Sequence, residues 1–250
     1  MIDIHSHVLP GIDDGSDSME TSLILLEMAA ESGVDTLVTT PHCNIPDEVD
    51  NYLSPELEEL WEELDAERER AGIPIRLCHG MEIFATEELP ELLRQKRVWT
   101  LNGTDWFLME FGFYENTDFC NEVLRQCREQ GFRPVIAHPE RYAFIQADPQ
   151  LAFEWCTSGY ALQLNKGSLL GRFGPEARQT AQLLLSHGLA ACVASDAHSP
   201  YQRSTHMGEV WDYLVQSWGE DYAALLLEEN PGRILAGREL LGFEAIPFDY

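Results

Sequence analysis

Residues 133–141 read RPVIAHPER, and this stretch shows the pattern that decides the fold. A short apolar run rich in β-branched residues predicts a buried strand, and it ends in His138 followed by a proline and two charged residues. Runs of the same kind occur six more times along the chain. They lie at residues 1–5 (MIDIH), 34–40 (VDTLVTT), 73–79 (IPIRLCH), 105–111 (DWFLMEF), 160–165 (YALQLN) and 189–195 (LAACVAS).

Segments with helical periodicity separate these seven runs. In the second segment Leu57 and Leu64 fall on one helix face, and Ser54 followed by proline predicts the helix start. Asp17 is predicted to cap the first helix. Glycines shortly before five of the strands are predicted to end the helices in the left-handed conformation, namely Gly33, Gly72, Gly131, Gly159 and Gly188.

The regular alternation of strand and helix predicts an α/β fold with parallel strands and helices outside the sheet. Seven strands in one uninterrupted series favour a barrel over an open doubly wound sheet. We find no linker or low-complexity tract, so we expect a single domain over residues 1–250. Residues after about 205 are predicted to form one or two closing helices and an acidic, aromatic tail.

The composition is that of a globular protein, with 44% hydrophobic residues, but its net charge is −27. Such a charge argues against nucleic acid as a partner, because binding to a phosphate backbone needs a basic surface. A protein this acidic that handles phosphate needs local positive charge, which bound divalent metals would supply. The sequence has no apolar run of membrane-spanning length and no signal-peptide pattern, so we expect no integral membrane segment and a cytoplasmic location.

The six cysteines contain no Cys-x-x-Cys pair, which favours free buried thiols over disulfides or a zinc ribbon. Cys127 and Arg133 have the Cys-x5-Arg spacing of cysteine-dependent tyrosine phosphatases. That motif requires a phosphate-binding loop between a strand and a helix N-terminus. Cys127 instead lies late in a predicted helix, so we interpret the spacing as accidental. The other cysteines are Cys43, Cys78, Cys120, Cys156 and Cys192.

Side chains able to bind metal stand where six of the seven predicted strands end. Because the carboxyl ends of parallel strands face one crevice, we expect these side chains to lie together. Five of the eight histidines belong to this set, whereas His79, His187 and His206 are interpreted as surface or supporting residues. The set comprises His5, His7, His42, Glu82, Glu110, His138, Asp196 and His198.

The spacing of these residues also favours a metal site. His5 and His7 are two residues apart, as are Asp196 and His198, so both members of each pair face one side of a strand. Carboxylates between neighbouring sites can bridge two metals, as two-metal hydrolytic centres require. A mixture of imidazole and carboxylate without thiolate suits Mn, Fe, Zn or Mg.

Three further positions are candidates for substrate or metal binding. Arg141 and Arg203 lie just past strand ends, where guanidinium groups would bind phosphate oxygens. Lys166 is a weaker candidate, with a surface salt bridge as the alternative. Asp13-Asp14, in the glycine-flanked first loop, either adds a metal ligand or only forms a tight turn.

Several motifs in family order resemble the bacterial manganese-dependent protein-tyrosine phosphatases of the PHP family, which belong to capsule and exopolysaccharide operons. The resemblance covers residues 1 to about 210. HPERY and the opening GIDDG are specific to this subgroup, whereas His-x-His is shared across the superfamily. The motifs are MIDIHSHVLPGIDDGS, TTPHCN, GMEI, MEFG, HPERY, LQLNKGS and SDAHSPYQR.

The resemblance implies a distorted, TIM-like (β/α)7 barrel with a centre of two to three divalent metals, Mn above all, with Fe, Zn, Mg or Co as alternatives. It implies that Arg141 and Arg203 bind phosphate. In two places the sequence departs from the family pattern, since Cys43 replaces a second histidine and Ser204 replaces a proline. The implied ligands are His5, His7, Asp14, His42, Glu82, Glu110, His138, Asp196 and His198.

We therefore expect hydrolysis of phosphotyrosine in a protein, with a bacterial tyrosine kinase tail as the expected partner. A hydroxide bridging two metals would attack phosphorus, while His198 or a metal-bound water would protonate the leaving group. The alternatives are a PHP phosphatase of a small ester such as histidinol phosphate, and a non-catalytic, metal-stabilised binding module. The oligomeric state stays open.

Overall fold

All seven predicted strands form, and two of them continue, after a break, into a further short segment that was not predicted. The computed structural model describes residues 1–242 and 245–248. The break in one strand falls at Thr40-Pro41, where proline offers no N–H to a ladder, and the other falls at Gly80-Met81. The strand segments are β1 (Ile2–Ser6), β2 (Thr36–Thr39), β3 (His42–Cys43), β4 (Arg76–His79), β5 (Glu82–Phe84), β6 (Trp106–Glu110), β7 (Arg133–Ala137), β8 (Ala161–Asn165) and β9 (Cys192–Ala194).

The segments form two parallel sheets in chain order. One sheet has the order β1-β2-β4, and the other has the order β3-β5-β6-β7-β8-β9. The register places His42 directly beside Glu82 on neighbouring strands. Two predicted metal ligands are thus adjacent because of strand pairing alone.

Hydrogen bonds past the ends of β1 and β9 link the two sheets. The Asp196 N–H donates to the His5 carbonyl at 2.9 Å, and the His7 N–H donates to the Ala197 carbonyl at 2.8 Å. Elsewhere the two sheets are separated, because the breaks at Pro41 and Gly80 interrupt the chain between β2 and β3 and between β4 and β5. The architecture is the predicted distorted barrel, with strands that do not close into one continuous sheet.

Helices occupy every predicted connection between strands. Ser18, rather than Asp17, caps the first helix, because the Ser18 side chain accepts the Thr21 N–H while Asp17 accepts the hydroxyl groups of Ser18 and Thr21. Ser54 caps the second helix as predicted. The helices are α1 (Met19–Glu31), α2 (Pro55–Ala71), α3 (Leu89–Arg94), α4 (Thr117–Glu129), α5 (Ala143–Ala147), α6 (Gln150–Thr157), α7 (Lys166–Leu169), α8 (Pro175–Ser186), α9 (Gly208–Trp218), α10 (Glu220–Ala224) and α11 (Asn230–Leu235).

Shorter helical turns complete the chain. Turns of 3-10 helix lie at Leu101–Gly103 and Pro139–Arg141, and a π-helical turn at Leu225–Glu229 joins α10 to α11. The closing segment therefore has three helices and a π turn, more than the one or two helices predicted. The predicted tail lies partly outside the described residues.

The buried core has two parts that follow strand alternation. Val135 and Ala137 of β7 belong to an inner cluster with Ile4, while Ile136 between them packs in the larger cluster beneath the helices. Ile234 of α11 joins the inner cluster, so the closing helix covers the amino ends of the strands. None of the described helices combines the length and apolarity needed to cross a membrane.

Candidate metal centre

The nine predicted ligands come together at the carboxyl ends of the strands. A cavity of about 350 Å³ opens there, and seven of the ligands and both predicted arginines line it. His5 and His7 lie fully buried against Glu82 and Asp196, which line the cavity. The cavity-lining ligands are Asp14, His42, Glu82, Glu110, His138, Asp196 and His198.

Glu82 occupies the middle of this group. Its Oε2 atom lies 3.2 Å from a ring nitrogen of each of three histidines, His5, His7 and His42. Its Oε1 atom lies 2.9 Å from His138 Nε2. Although Oε2 is buried, it has no hydrogen-bond partner. A buried carboxylate oxygen surrounded by imidazole nitrogens without a hydrogen bond fits a cation between them.

Within residues 1–242 and 245–248, three groups of ligand atoms are compact enough to hold a metal, with all atoms of a group within 4.8 Å of one another. The groups share His7 and His42, so they adjoin one another. His138 stands outside them, but its Nε2 lies 3.7 Å from Glu110 Oε2. The groups are His7-Asp14-His42-His198, His5-His7-Asp196 and His42-Glu82-Glu110.

Hydrogen bonds at the far side of the His5 and His198 rings fix their orientation. His5 Nδ1 lies 2.7 Å from Gln163 Oε1, and the Gln163 amide N–H donates to the Leu164 carbonyl at 2.8 Å. His198 Nδ1 lies 3.1 Å from the Asp196 carbonyl. With Nδ1–H engaged in this way, Nε2 keeps its lone pair for a metal, an arrangement common among metal-binding histidines.

The adjacent acids Asp13 and Asp14 have different environments. The Asp13 side chain is buried, accepts from the His42 N–H at 2.9 Å and contacts His7 Nδ1 at 2.8 Å. The Asp14 side chain is 67% exposed, and its Oδ1 lies 3.3 Å from His198 Nε2. Asp13 therefore orients His7, while only Asp14 is placed among the ligand atoms. The loop pattern named the pair together, whereas the resemblance implied Asp14 as the ligand.

Gly15 allows the loop that carries these acids to pack against β1. A Cβ at this glycine would lie 2.2 Å from the His7 carbonyl oxygen, closer than atoms can approach. The Gly15 N–H also donates to Asp13 Oδ1 at 2.9 Å. The close approach brings Asp13 to the His7 ring.

Two predicted ligands have strained backbone conformations. His138 has φ +36° and Asp196 has φ +50°, in the left-handed region that side chains other than glycine seldom adopt. His138 directly follows β7 and Asp196 lies two residues past β9, and each turn carries the side chain over the strand ends. Strain of this kind is typical of functional sites.

Burial opposes ionisation at this centre, and pairing overcomes it for the carboxylates. Burial raises the pKa of Glu82, but His5 and His42 bring it well below its usual range. Burial lowers the pKa of His7, but its contacts with Asp13 and Glu82 raise it well above the usual value. The carboxylates thus require positive charge nearby, and metal ions would compete with imidazole protons to provide it.

Arg141 and Arg203 stand together on one wall of the cavity. The Arg203 Nη2 atom lies 2.5 Å from Asp196 Oδ1, and Arg141 Nη1 lies 3.4 Å from Asp196 Oδ2. Both guanidinium groups lie over the ring of Phe173, at 4.5 Å for Arg141 and 5.5 Å for Arg203. Phe113 stacks on Arg141 from 4.9 Å. The two predicted phosphate-binding groups are therefore held in place by aromatic rings.

Lys166 is not placed as either alternative predicted. The side chain is almost fully buried, and its Nζ donates to the Ser204 carbonyl and, at 2.9 Å, to the His206 carbonyl. It forms neither a cavity wall nor a surface salt bridge. Burial lowers its pKa to about 8. Through these two hydrogen bonds Lys166 instead holds the backbone of Ser204 and His206, which follow Arg203, in place.

The three remaining histidines lie outside the metal-ligand groups among the described residues. His79 packs between Trp61 and Trp99, and His187 stacks on Phe248 at 4.1 Å. His206 is exposed. These positions agree with the surface or supporting roles predicted.

The cysteines also behave as predicted. None of the six forms a disulfide, and all six lie in the described ranges. Cys127 is fully buried within α4, and burial raises the pKa of its thiol to about 12. A thiol of this kind is not a nucleophile near neutral pH.

Sequence reasoning did not identify four residues that support the centre. Gln163 orients His5, and Asn165 donates its side-chain N–H to Asp196. Phe113 and Phe173 hold the arginines. The motif LQLNKGS contains both amides at alternate positions of β8, and this spacing was the available signal for an inward-facing pair.

Residues 1–236 match the family described as capsular polysaccharide synthesis, CpsB/CapC. The chain belongs to the CpsB/CapC family. Tyrosine-protein phosphatase YwqE of Bacillus subtilis, a relative, is 32% identical over 97% of this chain and 100% of its own length. Tyrosine-protein phosphatase CpsB of Streptococcus pneumoniae is 30% identical over 94% of this chain and 98% of its own.

Solved structures agree with membership of the CpsB/CapC family. A YwqE or CpsB structure, described as that of a unique metal-dependent tyrosine phosphatase, matches with a TM-score of 0.92, 30% identity and full coverage of both chains. A phosphotriesterase from Mycobacterium tuberculosis matches with a TM-score of 0.61 at 12% identity over 95% of this chain and 94% of its own. The second likeness concerns the fold alone. The predicted family and fold class are confirmed.

Proposed function

We propose that this CpsB/CapC-family chain is a metal-dependent phosphatase that hydrolyses phosphotyrosine in proteins of capsule or exopolysaccharide synthesis. The observation that carries the proposal is the buried Glu82 Oε2 atom, which lies 3.2 Å from three imidazole nitrogens without a hydrogen bond. The arginines line the same cavity. The names of the relatives, tyrosine-protein phosphatases, support the substrate.

The donor set fits two to three divalent cations, with Mn first and Fe, Zn, Mg or Co as alternatives. Bound cations supply a water nucleophile that is ionised near neutral pH and neutralise charge on the phosphoryl group. All other groups proposed to act on the substrate are side chains of this protein. The residues that would hold the cations are His5, His7, Asp14, His42, Glu82, Glu110, His138, Asp196 and His198.

Arg141 and Arg203 bind and orient the phosphoryl group in this proposal. Each guanidinium has five N–H donors, and the contacts to Asp196 use only some of them. The remaining donors are available to equatorial phosphoryl oxygens, whose charge they stabilise as the bond to the leaving group breaks. Stacking on Phe173 keeps both groups on one wall, so little order is lost when substrate binds.

Metal ligand and general acid are the two roles proposed for His198, and one imidazole ring cannot fill both at once. If Nε2 binds a cation, the only proton is on Nδ1, which faces the Asp196 carbonyl at 3.1 Å. Burial also lowers the pKa of His198, which favours the neutral ring. The geometry favours a ligand over a general acid. A tyrosine leaving group, with a pKa of about 10, needs only modest acid assistance.

The proposed partner is a phosphotyrosine-bearing protein, with the tail of a bacterial tyrosine kinase as the first candidate. The proposal includes a cytoplasmic location, where such a tail would be met. The single-domain organisation over residues 1–250 also stays a prediction.

The test combines metal content with substrate choice. Purified protein is stripped with a chelator and reloaded with Mn, and it is assayed on phosphotyrosine peptides, phosphoserine peptides and histidinol phosphate. We expect activity on phosphotyrosine alone, lost on chelation and restored by Mn. Equal or greater turnover of histidinol phosphate would favour the small-ester alternative, and bound metal without any turnover would favour a binding module.

The cysteine mechanism is tested separately. Because the Cys127 thiol is buried, Cys127→Ser is expected to retain full activity and the same metal content. Loss of activity in a Cys127→Ser protein with an unchanged circular dichroism spectrum would contradict the metal mechanism.

A further inference from the structure

Helix α7 contacts both of the chain segments that carry the arginines of the cavity. Its residues Lys166, Gly167 and Ser168 are buried. None of these three described residues lines the cavity. They can therefore affect the reaction only through the residues that they contact.

Ser168 connects α7 to the turn that carries Arg141. The side chain of Glu140, which precedes Arg141 in this turn, is fully buried. Its Oε1 atom accepts the Ser168 hydroxyl at 2.6 Å and the Asn165 N–H at 2.9 Å. A buried carboxylate is costly unless it is hydrogen-bonded, so both contacts are firmly specified. Glu140 thereby ties the backbone next to Arg141 to the start of α7.

Lys166 connects α7 to the segment that follows Arg203. Its Nζ atom donates to the carbonyls of Ser204 and His206. An ammonium group has three donors, so one side chain binds both carbonyls at once. Because Ser204 directly follows Arg203, these hydrogen bonds fix the backbone beside the second arginine.

Gly167 leaves room for the aromatic ring on which both guanidinium groups stack. A Cβ at this position would lie 2.4 Å from Cε2 of Phe173, closer than atoms can approach. The centre of the Phe173 ring is 4.5 Å from the guanidinium of Arg141 and 5.5 Å from that of Arg203. The absence of a side chain at Gly167 therefore allows the ring to contact both arginines.

We propose that α7 positions Arg141 and Arg203 relative to one another, so that both guanidinium groups reach the same phosphoryl group. One contact of α7 fixes the turn of Arg141, another fixes the segment after Arg203, and the third places the ring beside both. The inference rests on the proposed function, because it takes the two arginines as the groups that bind phosphoryl oxygens. The arginines lie far apart in the chain, so their spacing depends on an element that contacts both segments.

Two variants disturb the spacing in different ways. Gly167→Ala is the main one, since alanine favours a helix while its Cβ displaces the Phe173 ring. Gly232→Ala, in helix α11, is its matched control, where the nearest atom outside the helix would lie 3.3 Å from a Cβ. Lys166→Met removes two hydrogen bonds at similar length. Its matched control is Asn230→Ala, because the buried Asn230 side chain also donates to two backbone carbonyls.

A pair of variants at Glu140 separates hydrogen bonding from charge. In Glu140→Gln the amide oxygen still accepts from Ser168 and Asn165, whereas Glu140→Met offers no such acceptor. The amide nitrogen replaces Oε2, which has no hydrogen-bond partner within the described part of the chain. A positioning role is therefore rescued by glutamine and lost with methionine.

Each variant is loaded with Mn and assayed on a phosphotyrosine peptide. Binding of inorganic phosphate is measured by calorimetric titration, together with metal content and Tm. We expect Gly167→Ala, Lys166→Met and Glu140→Met to lower kcat/KM about 10- to 100-fold, as a binding group misplaced by up to about 1 Å does. Phosphate should bind more weakly, and metal content should stay unchanged.

The control variants and a double variant show whether the effect passes through the arginines. Gly232→Ala and Asn230→Ala should keep the kcat/KM of wild type, although Asn230→Ala lowers the Tm. Glu140→Gln should stay close to wild type. Lys166→Met should cause little further loss in an Arg203→Lys protein, because the two substitutions act on one group.

Three results would overturn the inference. The first is wild-type kcat/KM and phosphate binding in both Gly167→Ala and Lys166→Met. The second is an equal loss from Lys166→Met with and without Arg203→Lys, and the third is an equal loss in Glu140→Gln and Glu140→Met. If wild type hydrolyses no phosphotyrosine peptide but its phosphate binding still depends on α7, the proposed function fails and the positioning role stands.

Discussion

The two ends of the strand series differ in how their buried polar groups are paired. At the amino ends, Asn230 donates its side-chain N–H to the Ala191 and Leu241 carbonyls and accepts the Leu241 N–H, all within 2.9 Å. At the carboxyl ends, Glu82 Oε2 and the His138 Nδ1 atom are buried without a hydrogen bond. Asn230 satisfies its polar groups within the chain, whereas Glu82 and His138 keep polar atoms for a ligand.

This contrast separates residues that stabilise the fold from residues that serve chemistry. In parallel barrels the amino ends of the strands mainly contribute stability, whereas the carboxyl ends carry the active site. Substitutions at the amino ends should therefore change the free energy of unfolding, and those at the carboxyl ends should change metal binding and turnover. Four predictions test this division, ordered from the largest expected effect.

The largest effect is expected for Glu82→Gln at the carboxyl ends. The amide removes the charge at the centre of the ligand group, so activity should fall by more than the roughly 100-fold seen for partners behind a metal ligand. In the metal-free protein the His5 and His42 imidazoles stabilise the ionised Glu82, so the substitution should also lower the Tm of that form. Metal content, phosphotyrosine turnover and calorimetry measure these outcomes. A Glu82→Gln protein with normal metal content would remove the basis of the proposed site.

Arg203→Lys should lower kcat/KM about 100-fold, because a lysine cannot reproduce the planar pair of donors toward phosphoryl oxygens. Metal content should stay unchanged. Arg172→Lys is the matched control, since Arg172 is an exposed arginine paired with Glu209 at 2.6 Å. Steady-state kinetics measure kcat/KM of the two variants. Equal kcat/KM for both would show that Arg203 does not bind phosphate.

Asp13→Asn should reduce metal affinity roughly 10- to 100-fold, as is typical for groups that orient a ligand. Asp13 accepts hydrogen bonds at both oxygens, and the amide N–H₂ of asparagine would face a donor at one of them. Calorimetric titration with Mn measures the affinity. The exposed Asp17→Asn variant, in the same loop, should bind Mn normally. Similar affinities for both variants would contradict the orienting role.

The smallest effect on function is expected at the amino ends. Asn230→Ala leaves two carbonyls and an N–H without their partner and should cost about 2 kcal/mol of stability. That corresponds to a fall in Tm of roughly 4–8 °C for a chain of this size. kcat below the transition should be unchanged. The exposed Gln179→Ala variant serves as control, and a change in kcat without a change in Tm would break the division between the two ends.

Much of the fold was predictable because apolar runs and helix signals agree along the chain. Gly33 and Gly72 have the positive φ predicted for helix ends, +88° and +70°. The strand breaks were less visible. Pro41 marks one of them by its chemistry, but Gly80 and Met81 are tolerated in strands and gave no comparable signal.

The candidate site was predictable as far as strand ends reveal it. That His5 and Asp196 are ligands can be predicted from their positions at strand ends alone. The different environments of Asp13 and Asp14 depend on how a glycine-bearing loop packs. The burial of Lys166 was not predicted, because a charged side chain just past a strand end is usually exposed. Here the carbonyls of Ser204 and His206 accept hydrogen bonds from its Nζ. Phe173 lies far from Arg203 in sequence, so only the folded chain shows that they stack.

The hydrogen bonds that join β1 to the segment after β9 have a consequence for biosynthesis. His5 is synthesised before His198, because His198 lies 193 residues further along the chain (198 − 5). The cluster that contains His7 and His198 cannot assemble before His198 is made, so a nascent or prematurely terminated chain holds an incomplete set of donors. Loading with metal is thus expected only after the segment that carries His198 has left the ribosome.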